Sequence, residues 1–165
     1  MTDFDPARAE RFAPVDEAVV ERWRGISRPG DGMFPSLLGL EVVDVRTDYC
    51  RMRLPFRDEL LQAGGVVHGG VMASLLDAVV VPAVGAGLGR DAVFSTVDLH
   101  VQYLRAMFGG DRAEDAVAEG WVIRRGRRTV FCESEMFAAT TGRLVAKSVL
   151  TYAVSDPGTV SDPGA

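Results

Sequence analysis

The spacing of hydrophobic and polar positions changes along the chain, and each change marks an element. In VDEAVVERWRGIS, residues 15–27, Val15, Ala18, Val19 and Trp23 recur near helical spacing and predict a short amphipathic helix. PGDGMFPS then interrupts it with Pro29, Gly30, Gly32 and Pro35. From Leu37 the period shortens to two. Tyr49, Arg51 and Arg53 alternate with Cys50, Met52 and Leu54, as in a strand pair or one long bent strand. RDELLQAGG reads as a loop leading to His68. From Gly69 to Gly89 every residue is apolar or small except Ser74 and Asp77. This predicts a helix from about Gly69 to about Val84, ended by Gly85, Gly87 and Gly89. A helix apolar on every side belongs in a core.

Four strand-like stretches follow: VFSTVDLHVQYLRAM, AEDAVAEGWVIRR, TVFCESEMFAAT and RLVAKSVLTYAV. In the first, Val97, Leu99, Val101 and Tyr103 share one face, opposite Thr96, Asp98, His100 and Gln102. Short turns between consecutive strands predict an antiparallel meander. The expected fold is therefore α+β, an antiparallel sheet wrapped around one long central helix. Residues 1–35 form an N-terminal helical extension, 36–154 the main domain, and 155–165 a tail. The tail repeats SDPG and is expected to be disordered.

The length of 165 residues suits one domain, and 47% hydrophobic with 25% charged residues is an ordinary globular balance. A net charge of −5 argues against nucleic acid as the main partner. The cations are 17 arginines and Lys147, a skew that codon bias explains as readily as function. Cys50 and Cys132 form no disulfide framework or metal-ligand spacing. With only two histidines in the chain, no metal is expected. The N-terminus MTDFDPARAERFAP has no apolar signal-like stretch, which makes the cytoplasm the expected location. Asp77 at the centre of the apolar run, Pro82 and the surrounding glycines argue against a membrane span.

The candidate chemistry sits on the helix. The N–H groups of a first turn lack intrahelical partners and lie at the positive end of the helix dipole. Gly69 and Gly70 after His68 let another molecule approach that backbone. Such an end suits an oxygen that becomes an anion during reaction. Asp77 follows Gly70 by two turns on nearly the same face, with only small residues, Ala73 and Ser74, between them. An unpaired carboxylate in an apolar core is costly, so a chain that keeps one places it at a site or an interface. Taken singly, His68 reads equally as a helix cap, His-Gly-Gly as a plain turn, and Asp77 as the partner of a strand arginine. Together, ahead of the strands, they point to a site.

The segment LLQAGGVVHGGVMASLLDAVVVPA resembles the hotdog-fold acyl-CoA thioesterases of the PaaI-like, phenylacetate-pathway branch. STVDLHVQYLRA is similar to the family's second signature, and GRRTVFCESEMFAATTGRLVAKSVLTY to its closing strands. The resemblance covers about residues 36–154. It implies a hotdog fold whose active sites lie between paired subunits, in a dimer or tetramer. It further implies that Asp77 is general base or nucleophile, that the Gly69 amide polarises the thioester carbonyl, and that His68 precedes it in the motif. Thr96 would orient the attacking water or a partner's aspartate. Gln62 stands where the family has Asn, and Ala106 where it commonly has Pro. Gly70 and Ser74 are candidate substrate contacts. Arg125, Arg127 and Arg128, clustered with Arg124 at a turn, are candidates for the CoA phosphates. The implied reaction splits an acyl- or aryl-CoA into acid and CoA with no cofactor beyond the substrate. The alternatives are a non-catalytic acyl-CoA-binding hotdog module, or a hotdog hydratase or dehydratase.

Overall fold

The computed structural model describes residues 3–28, 30, 32–88 and 92–155. Pro29, Gly89 and all but the first residue of the expected tail lie outside them. Among the described residues six strands form one antiparallel sheet in the order β1-β2-β4-β5-β6-β3. These are β1 (Glu41–Arg46), β2 (Tyr49–Leu54), β3 (Val93–Tyr103), β4 (Ala116–Arg125), β5 (Thr129–Ala138) and β6 (Leu144–Ser155). The stretch after Leu37 is thus a hairpin, turned at Asp48 with a left-handed φ of 65°. An aspartate tolerates that conformation better than most residues.

Strands β4, β5 and β6 form a meander, but β3 does not join it. It crosses to the far edge and pairs with β6, Leu99 opposite Leu150 and Val101 opposite Ser148. Alternation along a sequence identifies a strand, while its neighbour depends on where the connection leads. Here a 12-residue connection, 104–115, carries the chain across the end of the sheet. The shared face expected for Val97, Leu99, Val101 and Tyr103 holds for the last three and fails at Val97. A β-bulge between Thr96 and Asp98 shifts the register, leaving Val97 exposed. The extra residue places Thr96 on the same side as Leu99 and Val101.

The central helix runs as α3 (Gly69–Ala78) and α4 (Val80–Ala86), interrupted at Val79. Pro82 has no N–H for the carbonyl four residues back, which accounts for a break one turn earlier. By length and composition the helix Gly69–Ala86 could cross a membrane, but half of it is buried and the sheet wraps around it. At the break it touches β4 directly. A Cβ on Gly120 would lie 2.9 Å from Val80 Cγ2 and 3.0 Å from Val79 Cγ1. The side of the sheet bearing Gly120, Ser134 and Tyr152 therefore faces the helix, and the register adds Met52, Cys132 and Leu150 to that side. Cys50 and Cys132 are free and buried.

The N-terminal residues pack against the end of the helix and the outer face of the sheet. Helix α1 (Glu17–Arg24) packs on β1 and seats the buried Trp23 against Gly85. A second short helix, α2 (Phe34–Leu38), forms where the sequence shows only punctuation. The segment before α1 crosses the outer face of the sheet. Phe4 meets Phe137 edge-on, Phe12 stacks on Tyr49, and Arg8 reaches Glu119 at 3.2 Å and Glu135 at 2.7 Å. Glu119 and Glu135 are cross-strand neighbours of like charge, so Arg8 and Arg51 offset their repulsion.

Candidate active site

Three elements converge on Asp77. The bulge in β3 turns Thr96 inward, and its hydroxyl donates to Asp77 Oδ1 at 2.8 Å. Tyr152 on β6 is the cross-strand partner of Thr96 and donates to the same oxygen at 3.0 Å. It also lies 3.2 Å from the Asp77 carbonyl. One row of the sheet thus presents two hydroxyls to one carboxylate oxygen. The half-buried Asp77 is not the unpaired acid that its apolar surroundings suggest. Among the described residues every hydrogen bond to its carboxylate falls on Oδ1. Burial, and then the negative charge of Asp77, push the Tyr152 phenol well above its ordinary range, so it stays protonated and remains a donor. Beneath the same turn, Ser134 donates to the Leu76 carbonyl at 2.8 Å and lies 2.7 Å from Ser148.

The helix start has one free donor. His68 is the N-cap, and its Nδ1 accepts from the Gly70 N–H at 2.9 Å. Its carbonyl accepts from Val71 at 3.0 Å and Met72 at 3.3 Å. Of the four first-turn N–H groups only that of Gly69 finds no acceptor among the described residues. Because Nδ1 accepts, the neutral imidazole carries its proton on Nε2. Tyr103 covers the other side of Gly69. Its hydroxyl donates to the Gly69 carbonyl at 2.9 Å, and its ring lies 3.3 Å from where a Cβ would stand.

Among the described residues none of the remaining candidates hydrogen-bonds Asp77. Gln62 is exposed, and its Oε1 accepts from the Gly64 N–H at 2.6 Å, ordering its own loop. Gly70 has given its N–H to His68, and Ser74 donates back to the Gly70 carbonyl at 2.8 Å. The arginine hairpin lies at the other end of the helix. Arg125 pairs with Asp48 and reaches the Val84 carbonyl at 3.2 Å, while Arg127 and Arg128 are exposed beside it. Val84 is 15 residues from Gly69, roughly 22 Å along the axis. Within one chain the hairpin therefore lies a helix length from Gly69. Tyr152 and Tyr103 went unrecognised as site residues. Alternation in RLVAKSVLTYAV puts Tyr152 on a buried face, but only the β3–β6 pairing brings it to Asp77.

A sheet wrapped around one helix, with the helix acid held by hydroxyls from the sheet, defines a hotdog-fold protein. A family model described as the Thioesterase superfamily matches residues 64–145. A protein of Halobacterium salinarum named "Putative esterase" is 36% identical over 131 residues, 76% of each chain. The chain belongs to the thioesterase superfamily. Among solved structures, a thioesterase from Haemophilus influenzae superimposes with a TM-score of 0.76 at 20% identity, over 92% of this chain and 99% of that one. A hypothetical thioesterase from Streptococcus pneumoniae, solved with coenzyme A, gives 0.63 at 21% identity, over 72% and 88%.

Proposed function

We propose that the protein hydrolyses an acyl- or aryl-CoA thioester to a carboxylic acid and free CoA. The observation that carries this reading is the state of Asp77: two hydroxyls hold Oδ1, and Oδ2 has no partner among the described residues. Through Oδ2 the carboxylate takes a proton from water as it adds to the carbonyl carbon, or attacks that carbon itself. The free Gly69 N–H, at the positive end of the helix, holds the carbonyl oxygen as charge develops on it. The C–S bond then breaks, and the leaving thiolate is protonated to CoA. In the second route water then hydrolyses the anhydride left on Asp77, so water is the only co-reactant in either. The superfamily membership and the CoA-bound neighbour support a thioester of that carrier.

Gly69 and Asp77 of one chain are eight residues apart, about 12 Å along the helix. Reacting atoms must approach to roughly 3–3.5 Å. The carbonyl held by one copy is therefore attacked through the Asp77 of a second copy. Edge strand β3, with Val97 60% exposed, offers the place for two sheets to join. Light scattering at micromolar concentration should give a dimer or tetramer, and a monomer mass would count against the shared site. Thiol release followed across a panel of acyl- and aryl-CoAs tests the reaction. Release with at least one substrate supports it, and binding without release for all of them overturns it.

A further inference from the structure

We infer that the phosphorylated adenosine end of the carrier is held in an arginine-lined cleft beside the helix N-terminus, and not by the Arg125–Arg128 hairpin. This rests on the proposed reaction for the identity of the carrier. The cleft, of 340 Å³, lies between the connection after β3 and the β5–β6 turn, and Arg105, Arg112 and Arg143 line it with Phe108 and Thr141. Three guanidinium groups converging on one cleft is a local excess of positive charge on a chain of net charge −5. Two carboxylates border it, and both are engaged by backbone N–H groups. Glu114 accepts from Thr140 at 2.8 Å and Thr141 at 3.3 Å, and Asp3 accepts from Leu144 at 2.9 Å.

The guanidiniums are held in place to different degrees. Arg112 lies over the Phe108 ring, 3.7 Å from its centroid. Arg105 donates to the Leu144 carbonyl and stands 3.7 Å from Asp3. Arg143 has no side-chain acceptor among the described residues. A planar guanidinium pairs bidentately with phosphate oxygens, and a stacked one loses less freedom when it does so. The position also fits. Arg105 follows by two residues the Tyr103 that bonds Gly69. The Met107 carbonyl accepts from the Val67 N–H at 2.8 Å, and Phe108 bridges to Val66. The floor of the cleft is thus tied to the residues just before His68, whereas the hairpin arginines lie at the far end of the helix.

The test is calorimetric titration of the full chain with adenosine 3′,5′-bisphosphate, alongside KM for an acyl-CoA and for the matching acyl-pantetheine. Arg112→Ala and Arg143→Ala should each weaken bisphosphate binding roughly tenfold, as expected for loss of a charge-assisted contact. Each should raise KM for acyl-CoA with kcat little changed, and leave acyl-pantetheine kinetics alone. The Arg127→Ala/Arg128→Ala double variant should bind as wild type. Melting curves control for folding, and if Arg112→Ala loses stability with its Phe108 contact, Arg143→Ala alone decides. No bisphosphate binding by wild type, unchanged binding by the cleft variants, or loss in the hairpin variant instead would overturn the cleft. Weakened bisphosphate binding in a protein that releases no thiol would uphold the cleft and remove the hydrolase reading. Hydrolysis with bisphosphate affinity and KM unmoved in the cleft variants would do the reverse.

Discussion

The hydroxyl of Tyr152 lies 3.0 Å from Asp77 Oδ1, the oxygen that Thr96 reaches at 2.8 Å, and the two donors are cross-strand partners. Two donors on one oxygen hold the carboxylate in one orientation. Tyr152→Phe and Thr96→Val should each lower kcat by about tenfold, the low end of what an orienting group contributes, with KM little changed. A fall in stability with kcat unchanged would mean that the hydroxyls only support the fold.

His68 is the N-cap of the central helix. His68→Ala should cost about 1 kcal/mol of stability, as loss of an N-cap does, and His68→Asn should restore most of it. Thermal melts check this. Turnover in His68→Asn near wild type confines the residue to capping. Loss of turnover in that variant with normal stability would give the imidazole a chemical role.

Much of this architecture is legible in the sequence because it is local. The apolar run around Asp77 and the His68-Gly69-Gly70 helix start both express themselves within a few residues of chain. The missing parts depend on contacts far apart in sequence. Val97, Leu99 and Val101 alternate as in an unbroken strand, and only pairing with β6 exposes the bulge that delivers Thr96. Tyr152 is 75 residues from the carboxylate it serves. The Arg125–Arg128 hairpin advertises positive charge without revealing which end of the helix it will reach.

Gly120 marks the closest approach of sheet and helix. A Cβ there would stand 2.9 Å from Val80 Cγ2, 3.0 Å from Val79 Cγ1 and 3.2 Å from the Val79 carbonyl carbon. Backbone on both sides leaves little to give. Gly120→Ala should lower stability by roughly 1–3 kcal/mol through overpacking, measured by denaturant unfolding. A shifted helix also moves Asp77, so turnover should fall with it. Wild-type stability in this variant would show that the helix is not seated as described.

Burial keeps four titratable groups in their neutral forms. Tyr49 and Tyr152 are raised well beyond the ordinary phenol range, Cys50 is raised well above 9.0, and Cys132 is pushed up to about 12. In the unfolded chain these groups lose their protons at ordinary values, near 9.0 for the thiols and 10.0 for the phenols. Folded pKa values above unfolded ones give stability that is complete below about pH 9 and is lost as pH rises further. The melting temperature should hold to about pH 9 and then decline, and Tyr49→Phe should flatten the decline above pH 10. A flat profile to pH 11 would contradict the burial of these groups.

The central claim is that Asp77 performs the hydrolysis, and Asp77→Asn measures it most directly. Asparagine is nearly isosteric and can still accept from Thr96 and Tyr152, so the fold should survive. It cannot take a proton from water or form an anhydride with the acyl group. Thiol release from the best acyl-CoA should fall by at least ~10²-fold, the scale of general-base loss. Binding of a non-hydrolysable acyl-CoA analogue should change little, since the carbonyl contact comes from Gly69. Turnover near wild type in Asp77→Asn would contradict the account and leave this carboxylate a structural group.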